Sequence, residues 1–255
     1  MILNLYKNRG ETPLQVIQRL KEGKIEGLEN LKEEKMTYLG RLDPMAEGVL
    51  LIASGEEDTK QKRKEEFLSL DKDYDFTALF GFATDTYDCL GRVLKVADFA
   101  KGYVVPKEMD LIKICKLFEG ERDQKYPKYS SVMIDHPEID PPIKKITIYK
   151  MQFKKFDELK PKELFGRLLM DISKVKGDFR QAEILEGWKE KLLEKNMSKM
   201  PFDILLANFS ASVSSGTYIR SIVNDMGATL GCGALALSIT RTRVGNYLLK
   251  DSQKF

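Results

Sequence analysis

Cysteine and histidine are scarce in this chain of 255 residues, which holds three cysteines and one histidine. The cysteines at 89, 115 and 232 are widely spaced, so they form neither a zinc pattern nor a disulfide framework, and they suit a reducing compartment. A catalytic triad would have to recruit His136, which precedes a proline in a predicted loop, and we expect a surface residue there. Glycine-rich phosphate-binding loops and Walker motifs are also missing.

Long apolar runs and export signals are absent as well. No stretch approaches the ~20 apolar residues that a membrane span needs. The first residues lack the basic start, apolar core and cleavage site of a secretory signal. We therefore expect a cytoplasmic protein with no membrane partner. Its hydrophobic content of 42% and charged content of 32% are those of an ordinary globular protein.

The net charge of +3 is too small to identify a nucleic-acid binder, but its distribution is uneven. Residues 154–200 hold 12 Lys or Arg against 9 Asp or Glu, an excess equal to the net charge of the whole chain. Apolar residues recur at helical spacing on both sides of Gly177, which predicts a helical hairpin inserted at about 154–203. Its apolar faces favour packing, whereas its basic residues would suit phosphate contacts. We call five of these basic residues the hairpin cations: Lys174, Lys176, Arg180, Lys189 and Lys191.

Strand and helix patterns interleave without regular βαβ repeats. Alternating or continuous apolar runs predict strands at 48–54, 74–82 and 204–215. Thr12 is a predicted helix cap, Asp110 is another, and Thr217 is a third, before a helix that ends at Gly231. These patterns indicate an α+β fold with a mixed sheet and helices on its faces.

Asp43 stands out because a carboxylate precedes a buried apolar run, with glycines at 40 and 48 on either side. An Asp held there can act as a nucleophile or general base, since the fold controls its solvation and partners. The spacing alone favours a helix cap at Asp43, with Pro44 at the first helical position.

Five segments in order resemble the TruB family of tRNA pseudouridine synthases. Residues 40–51 read Gly-Arg-Leu-Asp-Pro-Met-Ala-Glu-Gly-Val-Leu-Leu and are similar to that family's catalytic motif, Gly-x-Leu-Asp-Pro-x-Ala-x-Gly-Val-Leu. Residues 72–74 resemble its Lys-x-Tyr segment, and residues 81–91 its Gly-x-x-Thr-Asp-Thr-x-Asp-x-x-Gly loop. Residues 124–131 resemble Gln-x-Pro-Pro-x-Tyr-Ser-Ala, and residues 216–221 resemble Gly-Thr-Tyr-Ile-Arg. Together these matches cover residues 1–153 and about 204–250.

The resemblance implies roles for individual residues. Asp43 would be the catalytic carboxylate, Tyr74 would stack on the target base, and Arg220 would hold Asp43 ionised and oriented. Without the resemblance, the pattern favours a surface arginine at position 220, off the apolar face of its helix. The residues that the resemblance places near the substrate are Tyr38, Lys60, Asp85, Tyr218 and Ile239.

Two of these positions differ from the family's usual residue, and a third has an alternative interpretation. Tyr38 stands where the family has a histidine that fills the hole left by an extruded base, and an aromatic ring can still stack there. Ile239 replaces the usual leucine with little change in volume. Asp85 would organise the site, but it fits an Asx-turn equally well. A further departure is Glu47 in place of threonine, since an acid near RNA phosphate repels unless it is paired.

The resemblance thus implies the pseudouridine synthase fold, a mixed and largely antiparallel sheet flanked by helices, with the inserted hairpin. We expect residues 1–255 to form a single catalytic domain without the C-terminal PUA domain common in the family, and to act as a monomer. The expected reaction isomerises uridine to pseudouridine in the tRNA T arm, and the position expected first is 55 in the T loop. It needs neither a cofactor nor a metal, because it involves no redox change or phosphate transfer. Alternatives are another RNA site, or a non-catalytic RNA-binding or RNA-folding protein. An Asp-nucleophile hydrolase would need a second, acid carboxylate; Asp85 or Asp88 could be proposed, but no spacing supports either.

Overall fold

A computed structural model of the chain describes residues 1–97, 105–130, 140–194 and 203–254. His136 and the end of the predicted hairpin lie outside these residues. The described strands are β1 (Ile2–Lys7), β2 (Met36–Tyr38), β3 (Ala46–Ser54), β4 (Lys72–Phe80), β5 (Phe82–Thr84), β6 (Val93–Val96), β7 (Gly120–Lys125), β8 (Ile143–Leu159), β9 (Ile204–Val213), β10 (Ala234–Val244) and β11 (Tyr247–Leu248). The described helices are α1 (Pro13–Lys21), α2 (Gln61–Leu68), α3 (Glu108–Phe118), α4 (Pro161–Ile172), α5 (Gln181–Lys189) and α6 (Ile219–Thr229).

Nine of the strands form one sheet in the order β1-β3-β10-β4-β9-β8-β7, with β2 paired to β3 and β11 paired to β10. Every pairing among them is antiparallel except β3 with β10. Strands β5 and β6 form a separate antiparallel pair. The predicted α+β fold with a mixed, largely antiparallel sheet is confirmed.

The large sheet separates two apolar clusters. Phe76, Ala78 and Phe80 of β4 point to a cluster covered by α3 and α6. Leu79, between them in sequence, points to the cluster under α4 and α5. This alternation is the period-two pattern of a strand that is buried on both faces. A third cluster packs α1 against β1 and β3.

Local sequence explains most element boundaries. The Thr12 hydroxyl accepts from the Gln15 N–H and the Gln15 side chain accepts from the Thr12 N–H, so the predicted capping box opens α1. The predicted strand at 74–82 is interrupted at Gly81, whose φ of +87° turns the chain into β5.

Two predicted caps are wrong in position. Asp110 lies in the first turn of α3, where its carboxylate accepts from the Lys107 N–H at 3.0 Å, so it supports the helix start without being its cap. The Thr217 hydroxyl donates instead to the Ser214 carbonyl at 2.8 Å, and α6 begins after Tyr218. In both cases the side chain still satisfies backbone groups beside the helix end.

The inserted hairpin begins later than the expected residue 154. Strand β8 continues to Leu159 because its last residues pair with β9 as far as Ile204. The helical part comprises α4, α5 and a turn of π-helix to Glu194, and we call residues 161–194 the hairpin. Leu164, Leu168 and Trp188 are fully buried in the cluster beneath it. The hairpin therefore forms part of the core.

Candidate functional site

Asp43 lies in a tight turn that leads directly into β3. The Ala46 N–H donates to the Asp43 carbonyl at 3.0 Å, and Pro44 occupies the first corner of the turn. No helix follows, so the helix-cap interpretation of Asp43 is wrong. The Asp43 side chain is 36% exposed, which leaves one side of the carboxylate open to a ligand. We call residues 43–46 the Asp43 turn.

Arg220 contacts Asp43 from the first turn of α6. Its Nε lies 2.8 Å from Asp43 Oδ2, and its Nη1 donates to the Thr86 carbonyl at 2.6 Å. The side chain is only 4% exposed, so the surface interpretation of Arg220 is wrong. Although burial opposes its charge, Asp43 and Asp88 raise the pKa of Arg220 above its ordinary value. Arg220 therefore stays cationic beside Asp43.

Asp88 is a second carboxylate on Arg220, with Oδ2 lying 3.7 Å from Nε. Its other oxygen accepts from the Thr86 hydroxyl at 2.7 Å and from the Leu90 N–H at 3.0 Å. Burial raises the pKa of Asp88, while Arg220 opposes that shift. Sequence reasoning considered Asp88 only as a hydrolase acid. The apolar Cys89 and Leu90 that follow it were the available signal that it points inward.

Asp85, the acid expected to organise the site, faces away from Arg220. Its Oδ1 accepts from the Arg92 N–H at 2.8 Å, and its Oδ2 lies 3.9 Å from Arg180 in the hairpin. An Asx-turn would use the N–H two residues on, so the bond to Arg92 closes a longer loop and is not the expected Asx-turn. Asp88, three residues later, occupies the position beside the ion pair.

The ion pair opens into a cleft of about 480 Å³. Tyr74, Tyr218 and Ile239 line the same cleft as Asp43 and Arg220. Tyr74 on β4 pairs with Arg241 on β10, two residues from the pairing of Phe76 with Ile239. Residues two apart on a strand share a face, so the sheet register brings the tyrosine and the isoleucine to one wall. Five of the eight residues predicted from sequence thus meet at one site.

Tyr218 is held at the cleft by its backbone. Its N–H donates to Gln124 Oε1 at 2.8 Å, and its carbonyl accepts from Gln124 Nε2 at 3.1 Å. Its ring lies 5.1 Å from that of Tyr126, measured between centroids. Burial raises the pKa of the Tyr218 hydroxyl, so it remains neutral and able to donate near neutral pH.

Two further predicted residues lie outside the cleft wall. Tyr38 pairs with Ile52 at the end of β2 and packs beside the α1 cluster. Lys60 precedes α2, is 63% exposed and forms an ion pair with Glu57. Both belong to elements that lead toward the cleft, but neither side chain lines it in the described residues.

Buried cations form part of the cleft that the sequence analysis did not identify. Arg241 is 1% exposed and donates to the carbonyls of Val49 at 2.7 Å and Arg41 at 2.9 Å, so it ties the loop before Asp43 to β3. Lys72 is 6% exposed and donates to the carbonyls of Leu68 and Leu70. Burial, and then Arg241, lower the pKa of Lys72 to about 8. Alternate spacing with Tyr74 along β4 was the signal for Lys72.

Glu47 and the hairpin cations are all paired. Glu47 lies 3.2 Å from Arg9, which supplies the partner that an acid near RNA requires. The hairpin cations lie within 4 Å of carboxylates on Asp171, Glu11, Asp85, Glu186, Glu194 and Glu190. This pairing favours the packing interpretation of the hairpin over phosphate contact.

Within the described ranges, no three His, Cys, Asp or Glu side chains come together as metal ligands. Among the same residues, no helix is both long and apolar enough to cross a bilayer. The cleft itself is lined by an ion pair, two tyrosines, an aliphatic wall and buried cations.

Residues 29–178 match a family model described as TruB family pseudouridylate synthase (N terminal domain). The tRNA pseudouridine synthase B of Mycoplasma mobile is 31% identical over 255 residues, which cover 99% of this chain and 71% of that protein. The enzyme of the same name from Protochlamydia amoebophila is 29% identical over 98% of this chain and 76% of that protein. The one from Clostridium acetobutylicum is 30% identical over 96% and 68%.

Two solved structures share the fold. A chain of a Cbf5-Nop10-Gar1 complex aligns with a TM-score of 0.60 at 20% identity, over 100% of this chain and 52% of that chain. A chain of an H/ACA RNP bound to a substrate RNA containing 2'-deoxyuridine aligns with a TM-score of 0.57 at 18% identity, over 99% and 50%. This chain thus spans about half the length of those chains, and the likeness concerns the fold alone.

Proposed function

This chain belongs to the TruB family of pseudouridylate synthases, and from that premise we propose that it converts uridine 55 in the tRNA T loop to pseudouridine with Asp43 as nucleophile. The reaction breaks the C1′–N1 bond of the nucleotide, rotates the freed base and joins C5 to C1′. The bond that Asp43 forms to the nucleotide is broken again before the product leaves, so the carboxylate is regenerated. The proton that leaves C5 balances the one gained at N1. No electron or phosphoryl group is transferred, so we propose that no cofactor or metal takes part.

The observation that carries the proposal is the ion pair between Asp43 and Arg220 at the floor of an open cleft. A nucleophilic carboxylate must be ionised, oriented and accessible at once. Arg220 Nε at 2.8 Å supports the orientation of the carboxylate, and the 36% exposure of the Asp43 side chain supports its accessibility. A carboxylate that served only structure would have no need of that opening.

The walls of the cleft suit a base that has left the helical stack. Tyr74 lines the cleft and is 6% exposed as a whole residue, and Ile239 lies beside it at 7%. An aromatic face and an aliphatic wall can hold a nucleobase by stacking, and stacking does not depend on which base it is. Extrusion of the target from a stacked loop costs a few kcal/mol, and we propose that Tyr38 helps to offset that cost by filling the vacated position. Lys60 and Asp85 would lie at the edge of the protein surface that contacts the RNA.

Arg220 depends in turn on Asp88. The two carboxylates and the Thr86 carbonyl surround the guanidinium, so Asp88 is a positioning residue in this proposal. Asp88 keeps Arg220 aligned when the charge on Asp43 changes during covalent attack. Tyr218 and Lys72 complete the site as a neutral donor and a cation.

The experiment that tests the proposal is incubation of the protein with a T-arm RNA hairpin, followed by mapping of pseudouridine at nucleotide resolution. We expect modification at position 55. Asp43→Asn should abolish it while RNA affinity stays within a few fold, because the carboxylate contributes little to phosphate binding. Asp75→Asn is the matched control, since Asp75 is an exposed residue of β4.

The outcomes separate the alternatives. Pseudouridine at a different position, or only in another RNA, would mean that the protein performs the same reaction on a different RNA target. RNA binding without any product would indicate an RNA-binding or RNA-folding protein. Product formation by pure Asp43→Asn above background would refute the nucleophile. We further propose that residues 1–255 act in the cytoplasm as a monomeric, single catalytic domain.

A further inference from the structure

The segment that joins β1 to α1 lies between the Asp43 turn and the hairpin. On one side the Gly10 N–H donates to the Pro44 carbonyl at 2.8 Å, and on the other the Gly10 carbonyl accepts from the Lys176 N–H at 3.0 Å. Gly10 has a φ of +93°, and a Cβ there would lie 2.4 Å from the Lys174 carbonyl oxygen. Only glycine fits so close an approach. Three stretches of backbone are therefore in direct contact at this point.

The Arg9 side chain joins the same three parts. Its Nη1 lies 2.6 Å from Asp171 Oδ2 in the hairpin, and its Nη2 lies 3.2 Å from Glu47 Oε1, one residue beyond the Asp43 turn. Arg9 is 13% exposed and Asp171 is 8% exposed, so solvent weakens their pairing little. Because a guanidinium presents its nitrogens in a rigid plane, two carboxylates on two edges fix its orientation.

The hairpin is a firm support for this bridge. Its apolar side chains are buried in the core, and the Trp188 Nε1–H donates to the Cys89 carbonyl at 3.1 Å. Cys89 directly follows Asp88, the second partner of Arg220. The hairpin thus contacts the loop behind Arg220 as well as the segment behind Asp43.

We propose that Arg9 is a positioning residue for Asp43, and that the hairpin acts through Arg9 and Gly10 as a brace that holds the Asp43 turn at its reacting distance. This inference rests on the proposed function. Asp43 belongs to a short turn and has an exposed side, so its own neighbours restrain it on one side only. Displacement of a reacting group by 1 Å can cost about 100-fold in rate, which makes a distant brace useful.

Two substitutions break the bridge at different points. Asp171→Asn leaves Arg9 with Glu47 alone, and Arg9→Gln removes both ion pairs. We expect each to lower the single-turnover rate at saturating T-arm RNA about 10-fold, with RNA affinity within about 2-fold of the parent. The double variant should match Arg9→Gln alone, because both changes act on one bridge.

Two further variants separate positioning from stability. Arg9→Lys keeps the charge but cannot hold two carboxylates, so its rate should lie between those of the parent and Arg9→Gln. Glu186→Gln removes an equal charge from an exposed hairpin residue that pairs with Lys189, and its rate should equal that of the parent. Rates are compared at a temperature at which thermal denaturation shows every variant folded. Unchanged rates in folded Asp171→Asn and Arg9→Gln would overturn the proposal.

Amide hydrogen exchange tests the brace without reference to activity. In Asp171→Asn the Gly10 and Ala46 amides should exchange about 10-fold faster, as expected when about one hydrogen bond's stabilisation is lost. Amides of β9 should not change. If the parent makes no pseudouridine, the proposed function fails, and the exchange rates alone then show whether the hairpin restrains the Asp43 turn. Equal exchange in parent and variant would overturn it.

Discussion

Arg220→Lys is the substitution whose effect the structure defines most closely. Arg220 makes three contacts: Asp43 at 2.8 Å, the Thr86 carbonyl at 2.6 Å and Asp88 at 3.7 Å. A lysine carries one nitrogen on a flexible stem and cannot serve all three. If the introduced ammonium stays on Asp43, the buried Asp88 loses its counter-charge and the Thr86 carbonyl loses its donor.

The size of the effect follows from those losses. A hydrogen bond that involves a charged group contributes about 1.5–3 kcal/mol. If about 2–3 kcal/mol of that support is lost at the transition state, the rate falls roughly 30- to 150-fold. Asp88 is 6% exposed, so the free energy of unfolding should fall by a similar amount. RNA affinity should hardly change, because only 4% of the Arg220 side chain is exposed where it lines the cleft.

The assay is single-turnover conversion of a T-arm hairpin, with urea denaturation and RNA binding measured on the same protein. Arg122→Lys is the matched control, since Arg122 packs 3.8 Å above the Phe118 ring, outside the cleft. That control should keep the parental rate. An Arg220→Lys rate within 3-fold of the parent would refute the reasoning, because it would mean that a single point charge meets every need of Asp43.

Three further outcomes are expected. Lys72 has a pKa of about 8 in the folded protein, below the 10.5 of an unperturbed lysine. The unfolded chain therefore binds more protons between these pH values, and the free energy of unfolding should rise across them by about 3 kcal/mol. Urea denaturation of Lys72→Met should lack that share of the rise. Activity on a short T-arm hairpin should persist in EDTA, and a metal requirement with this substrate would point to another reaction. Replacing the five hairpin cations by glutamine should change the salt slope of RNA binding by less than one unit, because each cation is already paired with a carboxylate. A slope lowered by several units would mean that these cations contact RNA phosphates.

Short-range sequence patterns predicted a substantial part of this protein. The capping box of α1 and the alternation along β4 follow from local hydrogen bonding and from the period of a strand. The motifs that resemble the TruB family also predicted five of the residues that meet in the cleft. Each motif is a short continuous segment, so its residues could be identified from local sequence alone. Asp43, Tyr74 and Arg220 could therefore be named before any distance was known.

The tertiary structure alone decided what faces each side chain. The local pattern favoured a surface position for Arg220, because helical periodicity shows which side a residue occupies but not which distant loop covers that side. The same limit applies to two acids of one loop: Asp85 was expected to organise the site, but Asp88 lies beside Arg220. The direction of each acid depends on where the hairpin and α6 pack. The partners of Arg9 are likewise distant in sequence. Ion pairs between remote segments depend on the mutual placement of whole elements, and no local pattern encodes that placement.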